Sequence, residues 1–154
     1  MATVATELGI SSLEIVRDEI ISAPIEIVFE TLLEHLGPHM ETGPGNALPM
    51  KLEAWPSGRW YRDLGNNAGH FWGHVQVIKP PTLLEICGPL CMSSTAINHV
   101  QYRLTQEPAT TRLSFVHRAI GNIAADHREG MPDGWAHNLA NMRAAAERRA
   151  QAGG

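Results

Sequence analysis

The sequence predicts an α+β fold: an antiparallel sheet with one helix near the start of the chain and a longer one at its end. Three observations carry that prediction. Short β-type segments follow one another between residues 50 and 120, joined by connections too brief for crossover helices. Residues 25–36 repeat their apolar positions at helical spacing, and so does the stretch that follows Pro132.

Taken in order, residues 1–12 are small and polar and read as a flexible leader, with a single domain over 13–150. Leu13, Ile15 and the Ile20–Ile21 pair mark a first strand over 13–21. Ser22-Ala23-Pro24 then opens a helix, with serine as the capping residue and proline in the first turn, where its missing N–H costs nothing. Ile25, Val28, Phe29, Leu32, Leu33 and Leu36 form the apolar stripe of that helix, and Gly37-Pro38 ends it. Glu26, Glu30 and Glu34 occupy the other face, which reads as solvated.

Three glycines and three prolines between Gly37 and Pro49 indicate an irregular loop. Strands are predicted at 50–56, 59–63, 69–79, 83–88, 97–106 and 111–120, the first two readable as one bent strand around Pro56-Ser57-Gly58. The polar stretch from Gly121 to Met131 reads as a loop, after which Pro132-Asp133-Gly134 opens a last helix running to Ala150. Trp135, Leu139, Met142 and Ala146 are its buried stripe. Arg148 and Arg149 stand in its final turn, where the helix dipole favours cations.

Register follows from the apolar pattern. Pairing Val100, Tyr102 and Leu104 with His117, Phe115 and Leu113 puts every apolar residue of one hairpin on a single face, and a slip by one residue would mix the faces. His117 then shares the inner face, while His99 and Arg118 point outward. The same reasoning sets Val75 and Val77 opposite Ile86 and Leu84, with Trp72 and Ile78 on the outer face.

Composition narrows the function classes. At 154 residues, 44% hydrophobic and 18% charged, the chain reads as one globular domain. A chain of this length buries roughly 68–70% of its unfolded surface and needs no staples. The net charge is −4 and no basic patch precedes Arg143, so nucleic acid is a poor partner. No apolar run reaches the length of a membrane span and the first residues do not form a signal peptide. With only Cys87 and Cys91, a disulfide framework is not available, and a cytoplasmic location is the expectation.

Five short motifs, in order, resemble one family. They are Ser22-Ala23-Pro24 before Val28-Phe29; Ser57-Gly58-Arg59-Trp60-Tyr61-Arg62; Gly73-His74-Val75 leading to Pro80-Pro81-Thr82-Leu83-Leu84; Thr111-Arg112-Leu113 running to His117; and Gly134-Trp135 with Leu139. Over residues 13–149 the chain is similar to the START-like, or SRPBCC, superfamily. Within it, the chain resembles the bacterial branch related to the C-terminal domain of activators of the heat-shock-protein-90 ATPase. The chain departs from the pattern where Ser57 replaces a glycine and where the 37–49 stretch replaces a Trp-containing helical segment. The resemblance implies a helix-grip fold, a twisted antiparallel sheet wrapped around the long C-terminal helix with an internal cavity.

Five of the nine aromatics, Trp55, Trp60, Tyr61, Phe71 and Trp72, fall within 18 residues. With Trp60 and Phe71 facing inward they would wall a cavity for a flat or acyl ligand; the alternative is ordinary core packing. The ligand-binding set expected on this reading is Trp60, Arg62, Phe71, Tyr102, Phe115, His117 and Trp135, Arg62 serving a charged head group unless it is simply part of an exposed turn with Asp63. His117 is the candidate catalytic residue, set against a satisfied interior histidine.

Eight histidines invite a metal, yet His70 and His74 on one strand lie about 13 Å apart, beyond the reach of one ion, and no metal or cofactor is expected. Three functions compete. The first is binding of a small hydrophobic or aromatic molecule. The second is a cyclase- or aromatase-like enzyme using His117, and the third a co-chaperone-like interaction module. The outer sheet face could also join two copies into a homodimer.

Overall fold

A computed structural model describes residues 2–153. The chain forms β1 (Ser11–Ile21), α1 (Ile25–Leu36), β2 (Lys51–Leu52), β3 (Arg59–Gly65), β4 (Ala68–Lys79), β5 (Leu83–Gly88), β6 (Ala96–Gln106), β7 (Thr111–Gly121) and α2 (Ala125–Ala152). Every strand pairing is antiparallel, in one seven-stranded sheet of order β1-β7-β6-β5-β4-β3-β2. The long α2 packs against this sheet, the helix-grip arrangement, and both helices share its apolar face.

The two helices begin in ways the sequence did not suggest. Pro24, rather than Ser22, occupies the capping position of α1, and no side chain of its own caps it. The Ile25 N–H instead donates to Gln106 Oε1 at 2.9 Å, from the far end of β6, and the Ser22 N–H donates to Glu147 Oε2 of α2. The cap is therefore tertiary, and local sequence could not show it. The second helix starts at Ala125, ahead of the predicted Pro132, which lies inside it. Proline forfeits one helical hydrogen bond there, yet the residues before it sit over the end of the sheet, where they gain contacts. The turn from Gly121 to Met131 is thus mostly helix.

One hairpin follows the predicted register throughout. Val100 faces His117, Tyr102 faces Phe115 and Leu104 faces Leu113 without interruption, and all six are buried. His99 and Arg118 point outward, to Glu85 and Glu14.

The other end of the sheet departs from strict alternation at three register shifts, one of which, between Asp63/Gly69 and Gly65/Ala68, lies at the β3–β4 turn. Between Trp60/Gly73 and Tyr61/Phe71 the strand β4 carries one extra residue, Trp72. The bulge turns Trp72 into the core, 6% exposed, and leaves Phe71 on the outer surface, 40% exposed, against the His74 ring. Simple alternation predicts the reverse. A second bulge at Gln76 places Ile78, not Val77, opposite Leu84, and packs Ile78 against the core, while Val77 faces Glu85. A bulge adds one residue to one strand and so inverts the facing of everything beyond it. Ser57, which stands where relatives are expected to carry glycine, has φ +70°, the left-handed conformation that glycine adopts without strain.

Candidate functional site

The centre of the groove between sheet and helix is filled by the side chains expected to line a cavity. Tyr102, Phe115 and His117 have no exposed surface, and Trp135 of α2 is 4% exposed. Their rings form a chain: Tyr102 to Phe115 at 5.1 Å, Phe115 to Trp135 at 4.9 Å and Trp135 to His117 at 5.7 Å between centroids. Such contacts are those of an aromatic core.

The polar groups of this core fix the state of His117. The indole Nε1–H of Trp135 can only donate, and it donates to His117 Nδ1 at 3.0 Å. Nδ1 is therefore the unprotonated nitrogen and Nε2 carries the hydrogen. Nε2 lies 2.7 Å from Asn98 Oδ1, and the Asn98 amide donates in turn to the Pro89 carbonyl at 3.1 Å. Trp135, His117, Asn98 and Pro89 thus form one directed chain in which both imidazole nitrogens are used. Burial disfavours the imidazolium and lowers the His117 pKa to about 4. His117 is thus an interior histidine with both ring nitrogens hydrogen-bonded and no exposed surface. Tyr102 has a buried hydroxyl with no hydrogen-bond partner among the described residues, and burial pushes its pKa upward.

Of the other expected site residues, Trp60 is fully buried; its indole N–H donates to the Leu36 carbonyl at 2.6 Å and its ring meets Trp72 edge-on at 5.0 Å. Phe71 is outside, as described above. Arg62 pairs with His70 across β3 and β4 and borders a shallow polar groove with Tyr61, Asp63 and Phe71. The structure therefore does not bring Arg62 and Phe71 together with Tyr102, Phe115, His117 and Trp135.

An apolar cavity of about 310 Å³ opens at one end of the groove, under the first two turns of α2. Its wall is built from Met40 and Leu48 of the 37–50 loop, Trp72 of the β4 bulge, Met131 and Trp135 of α2, and Cys91 of the β5–β6 connection. Trp135 belongs to both regions: it closes the core on one side and the cavity on the other.

Two glycines of α2, Gly130 and Gly134, also border this space. Glycine in a helix is disfavoured against alanine by about 0.5–1 kcal/mol. Here the helix keeps two, four residues apart and therefore on one face. A Cβ on Gly134 would meet only the carbonyl of Thr42, another cavity residue, at 3.6 Å, and one on Gly130 would meet nothing within 4 Å. Missing side chains thus leave the space open.

The connection carrying Cys91 is held by backbone contacts to the bulge. Leu90 donates its N–H to the Trp72 carbonyl at 2.8 Å while adopting φ +52°, a left-handed conformation that costs on the order of 1–3 kcal/mol in a non-glycine residue. Gly88 allows this approach, since a Cβ there would lie 2.5 Å from both Gly73 Cα and the Trp72 carbonyl oxygen.

Polar chemistry at the cavity is confined to a few groups. Cys91 Sγ lies 3.6 Å from His127 Nδ1, and Asp126 supplies the one carboxylate among the lining residues. Asp126 Oδ1 accepts from the His127 backbone N–H at 3.0 Å. Burial raises the Cys91 thiol pKa, and the Asp126 charge adds to the effect. No local signal announces this pairing: Cys91 and His127 are 36 residues apart, and the segment carrying the histidine read as loop.

No family profile matches the chain. No curated protein matches it either. Solved structures do. An uncharacterised protein from Rhizobium leguminosarum superposes with a TM-score of 0.71 at 18% identity, covering 93% of this chain and 99% of that one. Protein CV1439 from Chromobacterium violaceum gives 0.68 at 18% identity, covering 87% and 96%. The Aha1 dimer from Colwellia psychrerythraea, solved in solution, gives 0.62 at 16% identity, covering 88% and 96%. At these identities the likeness is one of fold: this chain has the sheet-and-terminal-helix architecture of bacterial proteins that include Aha1.

Proposed function

We propose that the chain is a START-like, SRPBCC-type pocket protein that binds one small, neutral, hydrophobic molecule in the cavity beneath the first turns of α2. The observation that carries this reading is an apolar cavity of about 310 Å³ kept open by two helical glycines, Gly130 and Gly134. That volume falls at the lower end of the roughly 300–1,000 Å³ range of small-molecule sites, which combine apolar walls with few polar groups. Trp72 and Trp135 supply flat walls, and Met40 and Met131 supply adaptable ones. The cavity borders Asp126 and no Lys or Arg, so an anionic ligand would meet repulsion without a compensating cation.

Titration calorimetry with 2-nonanone, a neutral apolar probe, tests the reading, with Gly134→Leu as the control that fills the space from the helix side. Saturable binding of one equivalent by the natural chain, reduced at least tenfold in Gly134→Leu at unchanged thermal midpoint, is expected. Absence of binding to the natural chain, or equal binding to the filled variant, would overturn it.

A further inference from the structure

We infer that Cys91 and His127 make the cavity a site of covalent capture, in which the thiol adds to a neutral, apolar α,β-unsaturated carbonyl compound and the imidazole carries the proton. The inference rests on the pocket reading above and deepens it, because both groups line the same cavity.

Three features of the site lead to this chemistry. The Sγ–Nδ1 separation of 3.6 Å is within reach of a sulfur hydrogen bond, so an unprotonated Nδ1 accepts directly from the thiol. Cys91 is half-buried and borders an apolar cavity, where a free thiolate is poorly solvated; a base in contact is what lets the thiol react there. Both partners are held independently, the cysteine by the Leu90–Trp72 backbone contact and the histidine in the first two turns of α2. The second cysteine, Cys87, is absent from the cavity lining and pairs with His74 and His99 within the sheet.

The electrophile is selected by the same walls. Sulfur is a soft nucleophile and matches a conjugated alkene carbon. Met40, Leu48, Trp72 and Met131 favour an apolar chain, and Asp126 disfavours an anion. In the addition, the thiol S–H breaks and its proton passes to His127 Nδ1. The sulfur electron pair forms a C–S bond at the β-carbon, the C=C π pair moves to the α-carbon and carbonyl, and His127 returns the proton to the α-carbon. Atoms and electrons balance without an oxidant, a reductant or a leaving group.

The test is incubation of the full chain with 3-nonen-2-one, followed by intact mass and peptide mapping, with 2-nonanone binding measured alongside. The expected result is a single adduct on Cys91, abolished in Cys91→Ser and unaffected in Cys87→Ser. His127→Gln is expected to slow adduct formation at least tenfold and to flatten its pH dependence. If 2-nonanone binds but Cys91 reacts no faster than Cys87, or if His127→Gln reacts at the natural rate, the covalent inference falls and the pocket stands. If 2-nonanone does not bind, both fall.

Discussion

The two ends of the sheet are built from similar residues and behave differently. The β6–β7 hairpin pairs without interruption, and its inner face is a closed aromatic core in which nearly every polar atom is matched. The β3–β4–β5 end carries three register shifts, and beside them the groove holds an open cavity. Regular alternation delivers one side chain per two residues to the interior and fills it. A bulge breaks that cadence, re-aims a large ring and frees backbone groups, here the Trp72 carbonyl, for a neighbouring connection. Closed packing and local irregularity thus divide the groove into a structural half and a receptive half.

The sharpest way to break this contrast is the Phe71/Trp72 pair. Trp72→Ala should cost about 3–5 kcal/mol, as for a large buried aromatic. Phe71→Ala should cost no more than about 0.5 kcal/mol, as for a surface position. Equal costs in urea unfolding would mean that the bulge does not place these rings as described.

Acid should attack the closed half. His117 is neutral in the fold, with its pKa lowered to about 4 from the ordinary 6.5. Between those values the unfolded chain holds the extra proton and the folded one does not, so stability falls as pH falls. The contribution is intact above pH 6.5 and exhausted below pH 4, and the shift corresponds to on the order of 3 kcal/mol. The difference between the natural chain and His117→Gln, followed from pH 7 to pH 4 by urea unfolding, isolates this effect; a pH-independent difference would refute it.

Smaller effects probe the seam and the core. Gly88→Ala should force β4 and β5 apart and cost about 1–3 kcal/mol, with Cys91 losing its selective reactivity in the same variant. Tyr102→Phe removes an unmatched buried hydroxyl and should leave stability unchanged or raise it by up to about 1 kcal/mol. A clear loss in thermal unfolding would show that the hydroxyl is paired in solution.

Legibility from sequence followed the same division. Most strand positions, the end of α1 and the complete β6–β7 register could be read because the apolar pattern is regular there, whereas the strand expected over 50–56 is only Lys51–Leu52. The facings of Phe71, Trp72, Val77 and Ile78 could not, since a bulge leaves no mark in the pattern of residue types. The beginning of α2 was hidden by Pro132, which is tolerated because the preceding two turns find contacts over the sheet end. His117 was correctly placed on the inner face, but that it is locked between Trp135 and Asn98 depends on three separate elements meeting. The position of the cavity escaped for the same reason: loop, bulge, connection and helix contribute to it, and Gly130 lies in the stretch that read as loop.

The strand order has a consequence for how the chain is made. The first strand pairs with the last, Ser11 opposite Gly121, so its hydrogen-bonding partner is synthesised 110 positions later. At the ~5–20 residues per second of translation, the edge of β1 waits roughly 6–20 s without that partner. Its solvent side carries Glu14 and Asp18 between apolar residues, and the charges oppose edge-to-edge association meanwhile. Completion of the sheet is thus a late event on the ribosome, and the strand that begins the fold is among the last to be secured.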